Sequence, residues 1–205
     1  MTQTVLKTLF SCIAIATFLS ACSVTQKNTQ SVRTATEQLL ITESVLRSLP
    51  KDRNMPFPIP RESKVKLDVT GVSADKDIVK GIVAGWLGMH GYIPTDEGAS
   101  HRINIIVNSL GTEFATTFFG IPPISASFIP ISLPELAIYK SDSQLGYSKF
   151  YFDIFETASG KFLASSSPFI AESFSNKYTF LFLFTYNKTD IVSPPSIKSV
   201  SRLAQ

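Results

Sequence analysis

KVKLDVTGVSADKDIVKGIVAGWLGMH, residues 64 to 90, is the stretch that decides the fold, because its apolar pattern changes at a single glycine. Before that glycine, Val65, Leu67 and Val69 alternate with polar residues, which predicts a strand with one buried face. Gly71 ends the alternation. The apolar residues that follow return at helical spacing, so a strand passes directly into a helix.

The predicted helix covers residues 75 to 90, with Ser73 as a candidate N-cap. Its apolar positions lie on one face, as in an amphipathic helix: Ile78, Ile82, Trp86 and Met89. Three glycines with spacings of four and three residues suggest a face that lies close to another backbone: Gly81, Gly85 and Gly88. A second strand is predicted over 103 to 110.

The rest of the chain supplies one more helix and several strands. Thr34 and Glu37 have the spacing of a capping box, and Pro50 ends the helix predicted over 34 to 49. The residues between Phe180 and Phe184 are apolar on both faces, which predicts a strand sandwiched between layers. The later strands are predicted as antiparallel: 136 to 139, 147 to 156, 161 to 166 and 178 to 186.

These elements predict one α+β domain over residues 34 to 190. It is a single domain with a mostly antiparallel sheet of about five or six strands and two helices packed on one face. The Ser- and Pro-rich residues 191 to 205 are expected to be a disordered tail.

The first 21 residues have the order of an export signal. Lys7 precedes an apolar run from Leu9 to Leu19, and small residues follow. The run has about 11 residues, whereas a membrane-spanning helix needs about 20. We therefore expect a cleaved leader.

The leader ends in Leu19-Ser20-Ala21-Cys22, which resembles the lipobox of bacterial lipoproteins. The resemblance implies cleavage between Ala21 and Cys22 and attachment of lipid to the Cys22 thiol. It also implies, through Ser23, sorting to the outer membrane with the protein on the periplasmic face. Two or three acyl chains hold a protein on a bilayer far more firmly than one. Residues 22 to 33 are then expected to be the lipidated Cys and a flexible tether.

Composition excludes several classes of function. The formal charge is +3 and falls by one when the leader with Lys7 is removed, which is too little for a nucleic-acid partner. Cys12 leaves with the leader and Cys22 carries lipid, so disulfides, cysteine nucleophiles and thiolate metal sites are not expected.

Catalytic and cofactor motifs are not found in the sequence. His90 and His101 could form a metal site only with a third ligand such as Asp96 or Glu97, and no zinc-like spacing supports it. There is no nucleophile elbow, phosphate-binding loop or dinucleotide fingerprint. We expect no metal, no cofactor and no enzymatic activity.

The candidate functional segment is 114 to 134, which contains no charged residue and is rich in Phe, Ile and Pro. The favoured interpretation is a loop that folds over the sheet and completes the core. Left on the surface, such a stretch would instead mark contact with an envelope protein, self-association, or contact with lipid. The contact residues would be Phe118, Phe119, Ile121, Phe128 and Ile131.

Residues 34 to 40 (TATEQLL), 133 to 137 (LPELA) and 146 to 147 (GY) resemble a family of proteobacterial outer-membrane lipoproteins that has no assigned activity. This resemblance implies a lipid-anchored periplasmic domain. In layout the chain is also similar to the curli secretion channel lipoproteins, which combine an acylated cysteine with an α/β domain and apolar hairpins.

The leading functional hypothesis is a non-catalytic, membrane-anchored envelope component, an assembly or accessory subunit whose apolar segment meets a partner or its own copies. The alternative is a module that binds a lipid or another apolar molecule. A hydrolase ranks third.

Overall fold

The computed structural model describes residues 23–26, 33–52, 57–123 and 135–192. The two helices are α1 (Ala35–Ser48) and α2 (Lys76–Met89). In the described residues eight strands form one mixed sheet. The strands are β1 (Ser23–Gln26), β2 (Lys64–Gly71), β3 (Ile93–Pro94), β4 (His101–Ile121), β5 (Leu136–Glu156), β6 (Phe162–Ser165), β7 (Phe169–Phe180) and β8 (Phe184–Thr189).

The strand order is β3-β2-β4-β5-β7-β8, with β1 beside β4 and β6 beside β5. β2 is parallel to β3 and to β4, because α2 connects β2 to the strands that follow it. β1 is antiparallel to β4, and β6 is antiparallel to β5. The predicted α+β class is therefore confirmed.

Both helices lie within one residue of their predicted bounds. Thr34 accepts a hydrogen bond from the Glu37 N–H, and the Glu37 carboxylate accepts one from the Thr34 N–H, so the predicted capping box is present. The start of α2 differs from the prediction. Its N-cap is Asp75, and the Ser73 hydroxyl accepts a hydrogen bond from the Asp75 N–H.

The core lies between the helices and the alternating buried positions of β2, β4 and β5. Phe150, Phe152 and Ile154 in β5 are fully buried. The same cluster contains Val65 and Leu67 of β2 and, from the helices, Val45, Val79, Val83 and Leu87.

Three strand predictions were wrong. Residues 136 to 156 form one strand, β5, rather than two, and β4 continues to Ile121, so the first third of the segment 114 to 134 is strand. Pro122 follows directly and, lacking an N–H, cannot continue the strand hydrogen bonds. The predicted strand 178 to 186 is two strands, β7 and β8, separated by an exposed turn. The number of described strands is eight, not five or six.

Three further expectations differ from the structure. A Cβ added to Gly81, Gly85 or Gly88 would meet nothing within 4 Å, so these glycines do not lie against another backbone. Residues 23 to 26, expected within a flexible tether, form strand β1. Ile191, expected in the disordered tail 191 to 205, is buried. Residues 193–205 of that tail, residues 124–134 with Phe128 and Ile131, and the leader with Ala21 and Cys22 lie outside the described residues.

The chain divides into two compact units. The core unit comprises Asn28–Glu113, Gln144–Ser175 and Thr189–Gln205 and contains the whole buried cluster. The strand unit comprises Met1–Lys27, Phe114–Ser143 and Asn176–Lys188. Among residues 114–123, 135–143 and 176–188 of the strand unit, the buried ones are Ala137 and Ser141.

Candidate functional site

The predicted contact residues that the structure describes lie at the end of β4, in the strand unit. Phe118 is half-buried, whereas Phe119 and Ile121 are 40% and 50% exposed. Phe119 and Ile121 are therefore largely exposed and do not belong to the buried core cluster. The favoured interpretation of the segment as a core-completing loop is therefore wrong for Phe119 and Ile121.

The turn between β7 and β8 belongs to the same unit and is hydrogen-bonded to β5. Leu181 donates its N–H to the Ile138 carbonyl at 2.9 Å, and Phe182 donates to Ala137 at 2.8 Å. On the other side of β5, Gly120 approaches closely, because a Cβ there would lie 2.2 Å from the Leu136 carbonyl oxygen. The ends of β4, β5 and β7 therefore meet at one level of the sheet.

We call this surface the apolar end and define it as residues 118–121, 136–139 and 180–184. Five consecutive side chains of the turn are between 45% and 70% exposed: Phe180, Leu181, Phe182, Leu183 and Phe184. The sequence places them in a buried strand, because an unbroken apolar run predicts burial on both faces. The missing signal is a turn residue, since no Gly, Pro, Asn or Asp occurs between 178 and 186.

The turn has an unusual backbone for such residues. Leu181 and Phe182 have φ values of 46° and 51°, and Leu183 donates its N–H to the Phe180 carbonyl at 3.2 Å. This is the pattern of a two-residue hairpin turn that strongly prefers Asn-Gly. The left-handed conformation costs about 1–2 kcal/mol per residue for residues with a Cβ. The fold therefore carries local strain at the position where apolar side chains are most exposed.

On β5, β7 and β8, a tyrosine and then a lysine follow the apolar residues of this end. Tyr139 packs on Phe180 with ring centroids 5.4 Å apart, and Tyr178 stacks on Tyr186 at 6.2 Å. Lys177 and Lys188 bracket a stretch without a charged residue. On β5, Lys140 forms an ion pair with Glu135 at 3.0 Å and lies 3.9 Å from Asp142. The charge of Glu135 is thus balanced by a neighbouring ammonium group.

The histidines lie in the core unit and bind backbone groups or a neighbouring hydroxyl. The His90 ring nitrogens lie 2.8 Å from the Trp86 carbonyl oxygen and 3.2 Å from that of Asp52. His101 Nδ1 lies 3.0 Å from the Ser100 hydroxyl. Within the described residues no group of three or more His, Cys, Asp or Glu side chains could hold a metal ion.

A second surface feature of the core unit is a cavity of about 330 Å³ between the C-terminal turns of α1 and α2. Its lining is mostly apolar, and the Trp86 indole N–H is already bound to the Pro50 carbonyl at 2.8 Å. The lining residues are Leu46, Leu49, Pro50, Lys51, Ile82, Trp86, Met89 and His90. Such a cavity could accept a small apolar group.

Among the described residues, neither α1 nor α2 is long and apolar enough to cross a bilayer. No family model and no curated protein matches the chain. A similar solved structure is the rare lipoprotein B from Shewanella oneidensis, with a TM-score of 0.27 and 12% sequence identity. The match covers 69% of this chain and 78% of that one.

Proposed function

We propose that this chain is a bacterial envelope lipoprotein, held on the periplasmic face of the outer membrane by lipid on Cys22. The support is the sequence itself. A charged n-region and a short apolar run precede Leu19-Ser20-Ala21-Cys22, which has the residue types of a lipobox. The resemblance to proteobacterial outer-membrane lipoproteins agrees with this proposal. No family model matches the chain, so membership of that family stays a prediction.

The proposed role is that of a non-catalytic accessory or assembly component that acts through the apolar end. The observation that carries it is the exposure of nine apolar side chains in one small unit. A water-soluble protein without a contact to make would bury such a surface. They are Phe119, Ile121, Ile138, Phe180, Leu181, Phe182, Leu183, Phe184 and Tyr186.

The anchor is tested by labelling cells with radioactive palmitate. The Cys22→Ala variant should lose the label and leave the outer-membrane fraction, because only a thiol at this position accepts the lipid. Cys12→Ala is the matched control and should keep both the label and the location, since Cys12 belongs to the leader. Retention of label by Cys22→Ala would overturn the proposal.

The contact surface is tested by placing a photo-crosslinking amino acid at position 119 in living cells. The expected result is a covalent adduct with a lipid or a protein of the envelope. The same probe at Val72, which is fully exposed in the core unit, serves as the control. Equal labelling at both positions, or none at 119, would contradict a role for the apolar end.

The cavity between α1 and α2 favours a second candidate function, the binding of a small apolar molecule. Lipid extraction of the purified protein followed by mass spectrometry tests it. A stoichiometric ligand that is lost on Met89→Glu substitution would support this function, because Met89 lines the cavity and is 63% exposed.

A further inference from the structure

We propose that the occupant of the apolar end is the hydrocarbon of the bilayer, into which the turn between β7 and β8 inserts beside the acyl chains on Cys22. This inference rests on the proposed function, because it takes the lipid anchor as given. It adds a second membrane contact, made by side chains. The protein would then contact the leaflet both through the lipid on Cys22 and through the turn.

The side chains of the hairpin formed by β7 and β8 follow a fixed order from the turn outward. Apolar residues occupy the turn, tyrosines follow, and lysines come last, which is the sequence of environments from hydrocarbon to headgroup to water. At about 3.3 Å per strand residue, Tyr178 lies about 10 Å and Lys188 about 20 Å from the turn. An insertion depth of about 5–10 Å, typical of interfacial segments, would immerse the turn and leave both lysines on the water side, Lys177 about 13 Å and Lys188 about 20 Å from the turn.

The register of β1 places its first residue at the apolar end. Ser23 pairs with Phe118, and Gln26 pairs with Ala115. The strand therefore begins at the apolar end and leads away from it. Ser23, the residue that follows the proposed acylation site, therefore lies at the level of Phe118. Lipid on Cys22 and the exposed apolar side chains would enter the bilayer from the same end of this unit.

The shape of the turn favours lipid over a protein partner. The tip of a hairpin is convex, so a protein partner or a second copy would need a pocket of matching shape. Hydrocarbon needs no such pocket, because it adapts to any apolar protrusion. The carboxylate of this end, Glu135, is paired with Lys140, which lowers the cost of bringing it near the membrane surface.

The test uses the mature, lipidated protein reconstituted into vesicles of phosphatidylethanolamine and phosphatidylglycerol. Phe182→Trp adds one reporter to a chain whose own tryptophan, Trp86, is 5% exposed. The added emission should shift to shorter wavelength and be quenched when the lipids carry bromine on the acyl chains. Asn187→Trp, an exposed position in the same hairpin, is the matched control and should be quenched less because it lies near the lysines.

Each outcome decides the proposal. Stronger quenching at 182 than at 187 supports insertion. Equal quenching, or a blue shift at 182 without quenching by brominated lipid, overturns it, and the latter result would show a protein interface such as a second copy. The mass of the purified protein distinguishes a failure of the insertion proposal from a failure of the proposed lipid anchor. A mature protein without lipid on Cys22 refutes the anchor, whereas a lipidated protein with unquenched emission refutes only the insertion.

Discussion

Gly146 is a position in β5 where any side chain larger than hydrogen would collide with helix α1. A Cβ at this position would lie 2.6 Å from the carbonyl carbon and oxygen of Leu40 and 2.7 Å from the Ser173 hydroxyl. That hydroxyl donates to the same Leu40 carbonyl at 2.6 Å. Helix α1 therefore rests with its backbone directly on β5. The sequence marks Gly146 only through the family resemblance, because a glycine within a strand has no predicted partner.

Gly146→Ala should lower the free energy of unfolding by about 1–3 kcal/mol, the usual cost of overpacking. The upper end is expected because the contacted atoms belong to the backbone and cannot rotate away. Denaturant titration measures the change. Gly111→Ala is the matched control in β4, since a Cβ there would meet nothing within 4 Å. Equal stability of the two variants would contradict the close approach of α1 and β5.

Tyr92 gives a prediction for alkaline pH. Its burial raises the pKa of the phenol above the ordinary value of 10, and the charge of Arg61 lowers it by a smaller amount. Between the unfolded and folded pKa values the folded state keeps a proton that the unfolded state loses, so the free energy of unfolding falls as pH rises above about 10. Tyr92→Phe should flatten this fall while changing stability little at pH 7. An unchanged pH profile in the variant would contradict the assignment.

The turn between β7 and β8 is the element whose residues fit its backbone least well. Its two central positions have positive φ values, which favour Asn-Gly, but they are occupied by Leu181 and Phe182. Replacing Leu181 and Phe182 together by Asn-Gly should raise the free energy of unfolding by about 1 kcal/mol, because these residues accept positive φ without strain. Thermal unfolding in detergent measures the gain. Phe184→Ser removes similar exposed surface without a change in turn preference and should leave the melting temperature unchanged. A fall in stability for the Asn-Gly variant would refute the strained turn.

The elements that sequence could predict are those whose own residues determine their bounds. The bounds of α1 follow from the capping box of Thr34 and Glu37, and those of α2 from its apolar spacing, so both helices are predicted within one residue. The turn of β7 and β8 could not be predicted, because Leu181 and Phe182 carry no turn signal and their exposure contradicts their hydrophobicity. The sequence drew attention only to Phe118, Phe119 and Ile121 of this surface, because Leu181 and Phe182 reach it through hydrogen bonds to β5 residues more than 40 positions earlier in the chain.

At the scale of the whole molecule, burial is distributed unequally between the two units. The core unit contains Phe150, Phe152 and the rest of the buried apolar cluster, whereas among residues 114–123, 135–143 and 176–188 of the strand unit only Ala137 and Ser141 are buried. Strands without a packed face depend on hydrogen bonds that water can reach, and such regions open with a low free energy. The two units should therefore differ in local stability although their strands belong to one sheet.

Hydrogen exchange measured by mass spectrometry tests this difference. In detergent, amides of β5 near Phe150 should exchange at the rate of global unfolding, and those near Ile138 and Leu181 should exchange faster through local opening. Reconstitution into vesicles should slow exchange at the apolar end and leave the amides near Phe150 unchanged, because inserted backbone is shielded from water. Uniform exchange across both units in detergent would mean that the strand unit opens only when the core unit unfolds, and would contradict the predicted difference. Unaltered exchange at Leu181 in vesicles would argue that lipid does not cover the turn.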